Sequence, residues 1–162
     1  MIIILMLLSF FLDSILSIIV SHNGLFLPLF SVVVLVIIYP YFKGDKLSYF
    51  KYSAIYGLVY DIVYTDTLFM NFFVFLIIAL GIHFISYLLS DNIYTNLLLI
   101  LIAIILYRFV SYVLLVIAHH IGFSFFLLFE SIYSSLIINV IYGSILYILV
   151  NKYAKRHKII KK

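Results

Sequence analysis

Apolar runs long enough to cross a bilayer follow one another along the chain, separated by short polar clusters. A hydrocarbon core about 30 Å thick takes roughly 20 helical residues. On that spacing the pattern predicts six membrane helices, at about 2–20, 25–42, 52–65, 68–89, 97–118 and 131–150. Ser21-His22-Asn23-Gly24 reads as a tight turn. Pro28 falls in the first turn of the second helix, where a missing N–H is harmless, and Pro40 closes that helix. Residues 43–51, KGDKLSYFK, read as a basic loop. The third run is short and carries Tyr52, Tyr56, Tyr60 and Tyr64 at i, i+4 spacing, which suits a tilted or partly embedded helix. Thr65-Asp66-Thr67 is a turn, Ser90 to Asn96 a polar loop, and His119 to Glu130 an interfacial connector rich in Phe.

Composition strengthens this reading. The 162 residues are 67% hydrophobic and 10% charged, with a mean hydropathy of +1.32. No soluble core of that size needs so much apolar surface, so the fold class is an all-α polytopic membrane bundle. Absent cysteine excludes disulfides and thiolate metal sites. With no Trp, the 15 Tyr and 16 Phe take the interfacial aromatic role.

Nine of the ten Lys and Arg residues lie in 43–51 and 152–162. With six spans both segments and the N-terminus share one side, so cytoplasmic termini are expected. The division is a membrane domain over 1–151 and a basic cytoplasmic tail over 152–162, suited to anionic lipid rather than nucleic acid. The first run lacks a basic n-region and a small-residue cleavage site, which predicts a retained helix.

Three ionisable residues break the apolar runs: Asp13, Asp61 and Arg108. A charge at bilayer depth costs roughly 2.5–3.5 kcal/mol on insertion scales and seeks a partner inside the bundle. The simplest arrangement pairs Arg108 with Asp13 or Asp61, and the sequence leaves the choice open. Two stripes of small and polar residues accompany the charges. Ser53, Gly57 and Asp61 share one helical face, as do Ser131, Ser135, Asn139 and Gly143. Such stripes permit close helix packing, within the chain or against a partner.

Catalytic chemistry finds little support. Asp13 and Asp61 could meet in space, but nothing around them suggests a proton-sharing protease dyad. Gly122-Phe-Ser124-Phe is not the pattern expected of an intramembrane serine protease, and the six glycines form no phosphate-cradling loop. His83 reads as a hydrogen-bonded core histidine. His119 and His120 diverge by about 100° on a helix, too far to form a metal site by themselves, and Glu130 adds little. No catalytic residue, metal or cofactor is expected. A small solute could sit in such a bundle, but the chain is small for a complete alternating-access carrier.

The stretch Tyr56-Gly57-Leu58-Val59-Tyr60-Asp61-Ile62 resembles the signature of the MreD family, the small membrane subunit of the bacterial rod-shape machinery or elongasome. That family's Gly-Leu-x-Tyr-Asp type motif is followed by a short turn and a Leu-Gly-Leu-Asn-like entry to the next helix. Here the entry reads Thr67-Leu68-Phe69-Met70-Asn71, so Leu68 and Asn71 match and Phe69 stands where Gly is usual. Asp13-Ser14-Ile15, Pro28, the basic loop before the motif and the basic tail also agree in order. The resemblance implies a non-catalytic cell-membrane protein acting in cell shape and peptidoglycan synthesis. Its partners would be a single-span MreC-like protein, a RodA-type polymerase with its transpeptidase and, indirectly, the MreB cytoskeleton. It implies a fold similar to the S components of energy-coupling-factor transporters, and a vitamin-binding S component is the alternative reading. Gly57, Tyr60, Asp61 and Asn71 of the motif, with Ser53, Ser135, Asn139 and Gly143 of the two stripes, are candidates for helix packing or a partner interface.

Overall fold

The computed structural model describes residues 1–20, 27–65, 69–89 and 92–156. The turn at Ser21–Gly24, Asp66 and Thr67, Leu68 of the family motif and most of the basic tail lie outside them. The described chain is all-helical: α1 (Ile2–Val20), α2 (Phe30–Ile38, continued by a 3-10 turn at Tyr39–Phe42), α3 (Lys46–Tyr64), α4 (Met70–Leu88), α5 (Ile93–Ile117) and α6 (Phe125–Arg156). Four helices, α1, α4, α5 and α6, are long and apolar enough to cross a membrane. Phe30–Phe42 is a shorter apolar helix, and α3, with its lysines and tyrosines, is the least apolar.

α2 is the centre. Every residue from Phe30 to Ile38 is buried, as expected of a helix apolar all round. It packs against α1, α4, α5 and α6, while α3 packs on α4 and α5 on α6. Its run of Val and Ile meets Val74, Phe75, Ile78, Ile100 and Ile104, all closed to solvent. The outward faces of α1, α4, α5 and α6 carry exposed Ile, Leu and Phe, the surface a bilayer would cover.

Several boundaries move from their expected places. α2 starts at Phe30, so Pro28 precedes the helix instead of sitting in its first turn. The reason is tertiary: side chains from α1 and α6 seize the backbone at Leu29–Ser31, as detailed below. The basic loop 43–51 is mostly helix. Asp45 caps α3, accepting from the Ser48 amide at 3.1 Å and the Ser48 hydroxyl at 2.5 Å, so the helix begins at Lys46 rather than near residue 52. These bonds hold the Asp45 carboxyl below the usual carboxylate range. α5 starts at Ile93 rather than 97. α6 starts at Phe125 rather than 131 and runs on to Arg156, so much of the Phe-rich connector is helix. At 32 residues it rises about 48 Å, beyond the hydrocarbon thickness.

Candidate functional site

The polar residues at membrane depth converge on the starts of α2 and α4. A helix leaves its first N–H groups without intrahelical partners and concentrates positive charge there. In an apolar bundle those groups must be met by protein.

At α2, Asp13 of α1 accepts from the Phe30 amide through Oδ1 at 2.6 Å and from the Ser31 amide through Oδ2 at 2.8 Å. Asn139 of α6 completes the junction. Its Oδ1 accepts from the Leu29 amide at 2.7 Å, and its Nδ2 donates to the Leu27 carbonyl at 3.0 Å. The Leu27 amide donates to the Ser134 carbonyl at 3.1 Å. Residues 27–29 are thus non-helical backbone held at bundle depth, with their polar groups met by α1 and α6. Asp13 is only 4% exposed and Asn139 wholly buried.

At α4, Asp61 of α3 plays the same part. Oδ1 accepts from the Asn71 amide and the Asn71 side-chain amide, both at 2.9 Å, and from the Thr65 hydroxyl at 3.0 Å. Oδ2 accepts from the Phe72 amide at 3.0 Å. Asn71 passes the network to α5, its Oδ1 accepting from the Tyr107 hydroxyl at 3.1 Å.

Gly57 makes the second junction possible. It lies one turn before Asp61 on the same face, and a Cβ there would stand 2.8 Å from the Asn71 carbonyl carbon and 2.9 Å from the Phe72 Cα. Both are backbone atoms, so α3 approaches the start of α4 more closely than a residue with a Cβ would allow. Gly143 serves more mildly on α6, where an added Cβ would press on Ile100 and Val33 side chains.

The sequence candidates therefore fall inside the bundle. Ser53, Gly57, Asp61, Asn71, Ser135, Asn139 and Gly143 are buried, and Tyr60 is half-buried. Ser53 donates to the Tyr49 carbonyl in its own helix at 2.9 Å. Arg108 donates from Nε to the Ser135 hydroxyl at 2.7 Å and lies over the Tyr107 ring at 5.8 Å. Among the described residues it has no carboxylate within 4.0 Å, and Asp13 is the acid that interacts with it at longer range. His83 is half-buried and shares a 2.8 Å hydrogen bond with the Tyr39 hydroxyl. His119, His120 and Glu130 are exposed, and the described residues hold no cluster of three metal-ligating side chains.

Other tyrosines matter more than their sequence pattern indicates. Tyr56 and Tyr64 donate to the α1 carbonyls of Met6 and Phe10 at 2.8 and 2.7 Å, so the i, i+4 repeat binds α3 to α1. Tyr142 of α6 stacks on Phe30 and bonds the Ser9 hydroxyl at 2.7 Å. Tyr112 accepts from the Ser124 amide just before α6. Spacing gave a signal for the first pair alone.

Against that geometry, the family model described as rod shape-determining protein MreD matches residues 1–157. The chain belongs to the MreD family. It is a multi-pass membrane protein of the rod-shape-determining class. Comparisons with curated proteins and with solved structures gave no match. In this MreD-family chain the motif residues Gly57, Asp61 and Asn71 are one physical unit, a close crossing followed by a cap. Phe69 fits the same picture. Its backbone is left-handed, with φ 68°, the conformation a glycine adopts without strain. The family's usual glycine at this point thus has a conformational reason here.

Proposed function

We propose that this MreD-family chain is a non-catalytic scaffold of the cell-wall elongation complex, acting in peptidoglycan synthesis through helix contacts. The observation that carries this reading is how the membrane-depth carboxylates are used. Both accept from backbone amides at helix starts, so these charges serve the packing of a bundle with a broad apolar exterior. A single-span MreC-like protein and a RodA-type polymerase with its transpeptidase are the partners the family suggests, with the MreB filament engaged indirectly. The membrane domain spans 1–151, the basic tail 152–162 contacts anionic lipid, and both termini are cytoplasmic, as the Lys and Arg placement favours.

Affinity purification from native membranes in mild detergent, with mass spectrometry of what co-purifies, tests the reading. MreC-like and RodA-type proteins are expected. Recovery of a transporter's transmembrane coupling subunit with paired ATPases would replace the scaffold by a solute-capturing subunit.

A further inference from the structure

Two groups inside the bundle have hydrogen-bond donors left over. Arg108 uses only Nε, on Ser135, and among the described residues its terminal nitrogens meet no acceptor. The Tyr60 hydroxyl likewise makes no hydrogen bond among the described residues. Neither is sealed in, since both side chains are half-buried and their polar atoms stay accessible. A run of rings joins the two groups: Tyr60 lies 5.5 Å from Phe75, Phe75 lies 6.1 Å from Tyr107, and the Arg108 guanidinium lies 5.8 Å over the Tyr107 ring.

Their position is internal. The Tyr60 ring stands between Phe10 of α1, at 6.2 Å, and Phe75 of α4, at 5.5 Å. Arg108 is tied across to α6 by Ser135. Among the described residues α2 begins at Phe30. Arg108 lies roughly 13 Å of helix rise from the end of α5, and Ser135 roughly 15 Å from the start of α6. An Arg side chain reaching for the membrane surface would not be pinned at that depth by a 2.7 Å bond. The Asp13 carboxylate, bound to backbone amides, is not within 4.0 Å of the Arg108 nitrogens.

We infer that Tyr60, Arg108 and Ser135 form a binding site inside the bundle for an anionic group, a phosphate or a carboxylate. The guanidinium fork suits both, and the phenol adds a second donor from the facing helix. The anion arrives either as the headgroup of an amphiphile or as a small free ion. This site is independent of the scaffold reading and stands or falls separately.

The test is thermal unfolding of the full chain in a maltoside detergent, at constant ionic strength. Inorganic phosphate, acetate or dihexanoyl phosphatidic acid is titrated in. A saturating probe is expected to raise the midpoint by about 5 °C. Stabilisation by phosphatidic acid alone assigns the site to an amphiphile, and an equal effect of phosphate or acetate assigns it to a free anion. Tyr60→Phe removes a hydroxyl that has no hydrogen-bond partner among the described residues, so it should keep the probe-free midpoint and raise the half-saturating concentration about tenfold. Arg108→Gln should abolish the response. If Arg108→Gln does not fold, Tyr60→Phe decides the matter alone. No stabilisation by any probe, or identical titrations of the wild type and Tyr60→Phe, overturns the site.

Discussion

Asp13 and Asp61 each meet the start of the following helix, yet the two junctions are built differently. Asp61 reaches 10 and 11 residues along the chain, makes four hydrogen bonds and sits near the end of its helix. Asp13 reaches 17 and 18 residues, accepts from two backbone amides and sits in the interior of α1. It also shares its task with Asn139, 110 residues from Leu29. The α4 junction is a local device, made by a hairpin that brings its own parts together. The α2 junction is assembled from three distant segments around backbone that has left helical geometry inside the bundle. The lesson concerns separation along the chain. Where the acceptor belongs to the same hairpin, neighbours in sequence satisfy the amides of a buried helix start. Where it does not, the fold must deliver every acceptor from elsewhere.

The comparison breaks most readily at Gly57. Gly57→Leu should cost the most, more than about 3 kcal/mol, because the new side chain meets backbone that cannot step aside. A thermal scan by circular dichroism in detergent measures it, and a midpoint within 2 °C of wild type, a difference of about 1 kcal/mol or less, would mean that α3 and α4 do not cross so closely.

Next come the two acids. Asp13→Ala strands two buried amides at depth and should cost about 3–5 kcal/mol. Asp61→Ala likewise strands the Asn71 and Phe72 amides, with the buried Asn71 side chain, and should cost a similar amount, about 3–5 kcal/mol. A cost below about 1 kcal/mol for either would show that its carboxylate does not hold the helix start.

A pair of double-mutant cycles sharpens the point. Asp13→Asn and Asn139→Leu share the α2 start and should couple by about 0.5–3 kcal/mol, whereas Asp13→Asn and Asp61→Asn act on separate starts and should add.

Smaller still is Phe69→Gly. A left-handed backbone costs an L residue about 1–2 kcal/mol, partly offset by the greater chain entropy of an unfolded glycine, so a net gain of about 0.5–1 kcal/mol is expected. A fall in midpoint would remove strain as the explanation of the family's glycine.

The smallest effect belongs to Asp45, a fully exposed cap. Its carboxyl is lowered by Ser48, so its contribution to stability is complete above the ordinary Asp value of about 3.9 and fades as pH falls through the lower folded value. Asp45→Asn should flatten the acid limb of stability against pH while leaving neutral pH nearly unchanged.

Much of this was legible from residues alone. Long apolar runs separated by polar clusters specify helices in a membrane wherever the chain is placed, because the bilayer leaves no other way to satisfy the backbone. The crossing at Gly57, Asp61 and Asn71 was readable as a motif because its parts lie within 15 residues. The start of α3 was missed: the lysines of 43–51 read as a loop, whereas Asp45 caps a helix through Ser48. What the sequence could not supply was the partner of each charge. Opposite charges invite pairing on paper, and Arg108 with either aspartate is the economical choice. The tertiary structure gave the carboxylates to helix amides instead, because an interior helix start needs acceptors in fixed directions. Only the packing of α1 and α6 against residues 27–31 could decide that α2 begins there, and only the packing of α5 on α6 that Arg108 meets Ser135 rather than an aspartate.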